Sequence, residues 1–327
     1  MPLRDEILKW TEGGHLKPGE ASRAFAIAGV TPKLADWRRF VEALLLWTGS
    51  ILVAAGVIFF FAYNWKSLPR LEKFGLGETL FAVAVIAAWR LGIERAAGKA
   101  ALLGAALLTG ALLALLGQTY QTGADTFELF GYWALLILPW VIVARFAALW
   151  LLWIGLLNLT VAAYFRAMTW GLFGVFFGTS GLLWALFALN VAALAGWEFG
   201  MWRGLTWLNR WGARVIGSLL GCYATSIALI CLVDPHEIGT GAILAYLAWL
   251  GVMYVYYRWR VFDVFMLAGT LLSAIVVTTV FLGKQLLGHG DSAPGMLLIG
   301  LVIIAMSGAG AWWIREMLRE QSMGATQ

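Results

Sequence analysis

Apolar segments of about 20 residues recur about ten times along the chain, and short polar stretches with most of the charged residues separate them. An α-helix of that length crosses a hydrocarbon core of about 30 Å. The pattern therefore predicts an all-α integral membrane protein with about ten transmembrane helices and a short N-terminal cytosolic helical segment. We place the spans at roughly 41–63, 75–93, 100–118, 128–144, 146–165, 169–195, 212–232, 239–257, 262–283 and 295–314.

Two of these assignments need an argument. As one helix, the apolar region 130–164 would be about 52 Å long, too long for a bilayer. Pro139 and Arg145 offer a break, so we predict two spans there. The region 169–195 has no such break and fits one tilted helix or two re-entrant pieces. A single helix leaves most of the 23 lysine and arginine residues on the side of the N-terminus, as the positive-inside rule favours.

The resulting topology has both termini in the cytoplasm of a bacterial inner membrane. Before the first span we expect a helix over residues 5–11, a second beginning near Pro18, and a third that starts after Pro32 and continues into the membrane. This soluble segment could present a docking surface to a cytosolic protein. The predicted division is 1–40 cytosolic segment, 41–165 first five-span half, 166–315 second five-span half and 316–327 cytosolic tail.

Composition supports the membrane assignment, because 61% of the residues are hydrophobic against about 45–50% in soluble domains. The net charge of +5 comes from basic residues at the ends of apolar segments, where lipid headgroups explain them better than nucleic acid does. Cys222 and Cys231 fall in one predicted helix, too far apart to pair with each other. We find no cysteine-based metal motif and expect no cofactor. Membrane lipids are the expected partners, and a second copy of the chain is a further candidate.

A polar island after the third span is the first candidate binding site. Its amides and phenol offer donors and acceptors without net charge, which suits a neutral or zwitterionic ligand. The alternative is structural, because the same groups can cap helix ends inside a membrane protein. Since spans one and three end on the same face, the candidate site comprises Asn64, Trp65, Gln118, Tyr120, Gln121 and Asp125.

Two outward loops form a second constellation, with Asp234, His236 and Glu237 in one and His289 and Asp291 in the other. Their spacing matches no established metal motif, so we interpret them as solvated loop residues and predict no metal site and no catalytic residue.

Polar side chains inside the spans are few. Asn158 and Asn190 are expected to form interhelical hydrogen bonds, and Gly217 with Gly221 permits close helix contact. No span carries a charged residue at its centre, which argues against an ion-coupled pump. The tryptophans near predicted span ends are interpreted as headgroup anchors: Trp65, Trp133, Trp140, Trp170, Trp197, Trp211, Trp259 and Trp312.

The order of short motifs resembles a known family. The first span ends in Asn64-Trp65, the third ends in Gly-Gln-Thr-Tyr-Gln at 117–121, and an aromatic span with Trp133 and Pro139 follows. Over about residues 5–165 this resembles the bacterial membrane-protein family catalogued as domain of unknown function 2157. The resemblance implies an inner-membrane protein of unassigned activity and supplies no catalytic residues.

Three functions from different classes remain open. The first is a non-catalytic module for sensing, assembly or envelope maintenance. The second is a transporter or lipid-handling protein with an outward-facing site at Gln118 to Asp125. The third, a membrane enzyme that uses His236 and His289, has the least support.

Overall fold

The computed structural model describes residues 7, 10–11, 13–16, 18–29, 34–64, 69–121, 123–167, 172–239, 241–287 and 292–324. All regular structure in these ranges is helical. After a short helix α1, Pro18–Ile27, come ten longer helices: α2 Leu34–Asn64, α3 Arg70–Leu91, α4 Ala96–Tyr120, α5 Thr126–Ala144, α6 Ala147–Ala167, α7 Leu172–Trp202, α8 Arg210–Val233, α9 Gly241–Val255, α10 Val264–Leu287 and α11 Ser292–Gly324.

The ten longer helices correspond one to one with the ten predicted spans. Within the described residues, eight of them are long and apolar enough to cross a membrane: α3 to α8, α10 and α11. Helix α9 has 15 residues and continues into a π-helical turn, Tyr256–Arg260. Helix α2 has 31 residues, some of whose side chains lie outside the described set. The prediction of an all-α protein with multiple membrane spans is confirmed.

The structure answers both questions about the predicted spans, the break within region 130–164 and the form of region 169–195. The break after the fourth span lies at Arg145, which adopts the left-handed conformation with φ 45° and so ends α5. Pro139 does not break the chain, and it lies inside α5. Helix α7 is continuous from Leu172 to Trp202, so the re-entrant alternative for region 169–195 is wrong.

The N-terminal segment also follows the sequence pattern. Helix α1 begins at Pro18, a residue that the first turn of a helix accepts because it needs no backbone N–H there. Helix α2 begins at Leu34 and continues into the first span without a break. Of the helix predicted at 5–11, only Ile7, Trp10 and Thr11 are described, and all three are helical.

The helices pack as two groups that meet at α6. In the first group, α4 packs against α2, α3 and α5, and in the second, α8 packs against α7, α9 and α10. Helix α6 contacts members of both groups, because it packs on α5 as well as on α7 and α8. Each group has its own buried apolar cluster, around Ile137 and Leu149 in the first and around Ile216 and Leu267 in the second.

Glycines allow the closest helix contacts. At Gly110 on α4, an added Cβ would lie 2.5 Å from the ring of Trp133 on α5. At Gly217 on α8 it would overlap the end of Met266 on α10, and Gly221 lies against Trp249 on α9. The predicted role of Gly217 and Gly221 in close packing is therefore confirmed, as packing within one chain.

The headgroup-anchor interpretation is wrong for two tryptophans. Trp197 is buried, and its indole N–H donates to the backbone oxygen of Asn209 at 3.1 Å. The indole N–H of Trp133 donates to the backbone oxygen of Ala106 at 2.7 Å. Trp197 thus links α7 to the residue before α8, and Trp133 links α5 to α4. Among the other predicted anchors, Trp211, Trp259 and Trp312 are exposed, as an anchor would be.

Helix ends collect on two opposite faces, because consecutive helices reverse direction. Arg214 near the start of α8 contacts Asp263 just before α10, whereas Lys284 near the end of α10 donates to the backbone oxygen of Leu232 near the end of α8. The first of these faces we call the arginine face. It carries Arg203, Arg210, Arg214, Arg258, Arg260, Arg315 and Arg319.

Candidate functional site

The polar island predicted as a binding site lies at the connection between α4 and α5. Gln121 adopts the left-handed conformation and ends α4. Asp125 and Glu128 form a capping box at the start of α5, and Glu128 accepts the backbone N–H of Asp125 at 3.2 Å. Two of the predicted site residues therefore have a structural role at helix ends.

A cavity of about 470 Å³ lies at this connection, and Gln118 and Asp125 both line it. Tyr120 and Gln121 do not line it, and the ring of Tyr120 instead contacts Phe74 on α3, with 5.9 Å between centroids. The side chain of Asn64 and all of Trp65 lie outside the described residues. Of the predicted site residues, the structure thus brings together Gln118 and Asp125.

The second constellation lies largely outside the described residues. The side chains of His236 and Glu237 are not described, nor is any part of His289 or Asp291. Where the chain is described, no group of three or more His, Cys, Asp or Glu side chains is arranged to hold a metal ion.

A second cavity, larger than the one at the α4–α5 connection, is a groove in the second helical group. Helices α7 and α9 both pack on α8 and leave a groove of about 860 Å³ between them. This volume falls within the usual range of ligand sites, about 300–1,000 Å³. The groove is lined by Phe187, Val191, Leu194, Ala195, Glu198, Phe199, Trp202, Leu220, Ala245, Ala248, Trp249, Val252, Met253, Tyr256, Tyr257, Arg260 and Val261.

The groove has a buried floor and exposed rims. Leu220 on α8 is 2% exposed and forms part of the floor, whereas Val252 on α9 is 66% and Trp202 on α7 is 74% exposed. Lining residues on α7 run from Phe187 to Trp202, about 22 Å along the helix axis at roughly 1.5 Å per residue. The groove is therefore an elongated apolar channel that opens sideways, toward the surroundings of the helices.

At the arginine face the groove ends in a buried carboxylate. Glu198 lies in the last turns of α7 and is 7% exposed. Its carboxylate accepts a 2.7 Å hydrogen bond from the guanidinium of Arg210, a 2.8 Å bond from the Tyr257 hydroxyl and a 3.1 Å bond from the Tyr256 hydroxyl. Three donors and one opposite charge satisfy the requirement for burying this anion.

Neighbouring acids on the same face are also paired. Asp263, 2% exposed, accepts from Arg214 at 3.0 Å and caps α10 through the backbone N–H of Phe265 at 3.0 Å. Arg258 on the π-helical turn pairs with Glu320 on α11. These ion pairs hold the ends of α7 to α11 together around the polar end of the groove.

Comparison with known families settles the resemblance noted in the sequence. Residues 8–150 match the family described as "Predicted membrane protein (DUF2157)". The resemblance carried by Asn64-Trp65 and residues 117–121 is thereby confirmed. The match covers less than half of the 327 residues, from the N-terminal segment to the start of α6. No curated protein and no solved structure matches the chain.

The DUF2157 match includes the polar island but not the groove, because α7 to α11 lie beyond residue 150. The family match therefore gives no information about the chemistry of the groove.

Sequence reasoning missed Glu198 because it ended the sixth span at residue 195 and left this acid in a loop. The helix continues to Trp202 and carries Glu198 into the interior. A signal was present, since Glu198 is the only charged residue in α7. The two tyrosines that bind it, Tyr256 and Tyr257, are adjacent and directly precede an Arg-Trp-Arg segment.

Proposed function

We propose that this protein is a non-catalytic membrane module that holds one membrane amphiphile in the groove between α7 and α9. The observation that carries the proposal is the shape of the groove: apolar along its length, open on its side and polar at one end. An amphiphile has the same division into an apolar chain and a polar headgroup.

The sideways opening supports a ligand that enters from the bilayer. The rims carry four exposed apolar side chains: Val191, Phe199, Trp202 and Val252. Helix α7 is long enough to span a membrane, and α9 with its π-helical turn is nearly as long. Lipid chains would surround such side chains. A lipid is already beside this opening, whereas a water-soluble ligand would reach only the polar end of the groove.

The length of the groove supports the same ligand class. Its lining extends about 22 Å along α7, more than half of a hydrocarbon core of about 30 Å. The polar end coincides with the ends of α7 and α9, at the level where headgroups lie. A lipid held there would keep its normal depth and orientation in the bilayer.

The test compares two tryptophan substitutions on α9. Ala248 lines the groove and is exposed, so Ala248→Trp would fill the groove without disturbing a buried contact. Leu247 is 54% exposed and does not line the groove, so Leu247→Trp is a matched control. Native mass spectrometry of the purified proteins should show a retained lipid in the wild type and in Leu247→Trp, and loss of that lipid in Ala248→Trp. Equal lipid retention in all three proteins would contradict the proposal.

A second candidate site remains at the α4–α5 connection, where Gln118 and Asp125 line the smaller cavity. Its uncharged amide beside the carboxylates of Asp125 and Glu128 suits a neutral or zwitterionic ligand. If this site binds a ligand needed for function, Gln118→Ala should abolish function in cells while expression and melting temperature remain near those of the wild type. A parallel loss of folded protein would indicate a structural role at the helix ends.

We also propose that the arginine face is cytoplasmic, in a bacterial inner membrane, with both chain termini on that side. The excess of lysine and arginine on this face supports the orientation through the positive-inside rule. Single cysteines placed at position 315 and at position 123 should differ in labelling by an impermeant maleimide added to intact spheroplasts. Labelling at 315 but not at 123 would reverse the orientation.

A further inference from the structure

We propose that the amphiphile in the groove is an anionic phospholipid and that Arg260 is the residue that recognises its phosphate group. This inference rests on the proposed binding of an amphiphile between α7 and α9. It adds the class of headgroup and the residue that selects it.

The acidic side chains at the polar end of the groove are already paired with basic ones. The negative charge of Glu198 is balanced by Arg210 at 2.7 Å, and that of Asp263 by Arg214 at 3.0 Å. Tyr256 and Tyr257 donate their hydroxyls to Glu198, so they also serve the buried carboxylate. None of these groups leaves a negative charge for a cationic headgroup.

Arg260 differs from its neighbours. Its side chain is exposed and lines the groove, and it forms no ion pair within the residues that the structure describes. The nearby Arg258, two residues earlier, is paired with Glu320. The polar end of the groove therefore carries the excess positive charge of Arg260 beside an apolar channel. Arg203 lies over the rim rings of Phe199 and Trp202 and adds positive charge nearby, but it does not line the groove.

An anionic headgroup complements this arrangement. A guanidinium binds phosphate oxygens through charge-assisted and often bidentate hydrogen bonds, which are stronger than neutral ones. Arg260 is the last residue of the π-helical turn that follows α9. This is the end of the predicted span, where a phospholipid phosphate would be found. The phosphate would contact Arg260 while one acyl chain lies along Val252, Ala248 and Ala245.

The test uses purified full-length protein reconstituted into vesicles of equal parts phosphatidylglycerol, which is anionic, and phosphatidylcholine, which is zwitterionic. Bound lipids are counted by native mass spectrometry after release from the vesicles. The variants are Arg260→Gln and the matched control Arg315→Gln, which removes the same charge from the arginine face but lies on α11, outside the groove. Ala248→Trp reports whether the counted lipid occupies the groove.

We expect the wild type and Arg315→Gln to retain phosphatidylglycerol in preference to phosphatidylcholine. In Arg260→Gln this preference should fall by about five- to tenfold, the size expected for one charge-assisted contact near water. Phosphatidylcholine retention should fall less, because its choline cation already weakens the contact between its phosphate and Arg260, and its apolar contacts remain.

Two results would overturn the inference alone: no preference in the wild type, or an equal loss of preference in Arg260→Gln and Arg315→Gln, which would indicate general surface charge. In both cases loss of lipid in Ala248→Trp would still support a ligand in the groove. If the wild type retains neither lipid, or if Ala248→Trp retains as much as the wild type, the proposed function itself fails.

Discussion

Asn158 on α6 and Asn190 on α7 exchange side-chain hydrogen bonds across the junction of the two helical groups. The amide nitrogen of Asn190 donates to Oδ1 of Asn158 at 2.6 Å, and the reverse bond is 3.5 Å long. Each amide nitrogen also donates to its own helix, to the backbone oxygens of Ile154 and Leu186 respectively. Because both side chains are buried, water cannot take the place of either amide if its partner is removed. The pair is therefore a specific connection between the two helical groups.

This pair predicts a non-additive response to substitution. Asn190→Leu should destabilise the protein by about 1–2 kcal/mol, because it leaves the buried amide of Asn158 without its partner. In the double variant Asn158→Leu/Asn190→Leu, neither amide remains to be left unpaired. The free energy of unfolding in detergent should therefore fall by less than the sum of the two single losses. Strictly additive losses would mean that the amides are not coupled.

Two tryptophans allow the value of an indole hydrogen bond to be isolated. Trp133 donates to the backbone of Ala106, whereas the indole nitrogen of Trp249 is buried without a partner in the described structure. Substitution by Phe removes similar ring volume at both sites but removes a hydrogen bond only from Trp133. We expect Trp133→Phe to be the more destabilising by about 1 kcal/mol. Equal unfolding free energies for the two variants would contradict the assigned bond.

The contact between α4 and α5 predicts opposite effects for two glycines of one helix. At Gly110 a methyl group would meet the rigid ring of Trp133, whereas at Gly104 no atom lies within 4 Å of the added Cβ. Gly110→Ala should lower the melting temperature by separating the helices. Gly104→Ala should leave it unchanged or raise it, because alanine favours the helix by about 0.5–1 kcal/mol. A milder effect at Gly110 than at Gly104 would show that the helices are not in close contact there.

The buried carboxylate of Glu198 should matter more than a surface acid. Glu198→Gln keeps the shape but leaves Arg210 without its counter-charge, and we expect a loss of about 1–2 kcal/mol because Arg210 is one-third exposed and water offsets part of the cost. The control is Glu316→Gln, which breaks the exposed pair with Arg319 and should cost less than about 0.5 kcal/mol. Similar losses of unfolding free energy in the two variants would argue against Glu198 as the centre of the polar cluster.

Much of the fold could be predicted from the sequence because lipid imposes a length on every apolar segment. Ten such segments became ten helices, and interhelical hydrogen bonds of Asn158 and Asn190 could be expected, since a buried amide must find a partner. That the two amides pair with each other could not be predicted, because the sequence does not show that they face each other. The position of a break was harder to predict. Pro139 lies within α5, and the turn occurs at Arg145, where the backbone adopts a left-handed conformation.

The groove could not be predicted from the sequence for a different reason. Its lining comes from α7, α8, α9 and the π-helical turn, and nothing in the hydrophobic pattern indicates which of these helices are neighbours. The predicted sixth span ended at residue 195, so Glu198 fell outside it, whereas the helix continues to Trp202. Only the contacts with Arg210, Tyr256 and Tyr257 show how the acid is accommodated inside.

In the proposed function, one amphiphile occupies the groove between α7 and α9. The most direct measurement is photo-crosslinking with a phospholipid that carries a photoreactive group in its acyl chain, followed by mapping of the modified residues. We expect adducts concentrated on the groove residues Val191, Ala248 and Val252. Adducts spread with equal yield over exposed positions elsewhere, such as Leu135 on α5, Leu272 on α10 and Ile304 on α11, would contradict it.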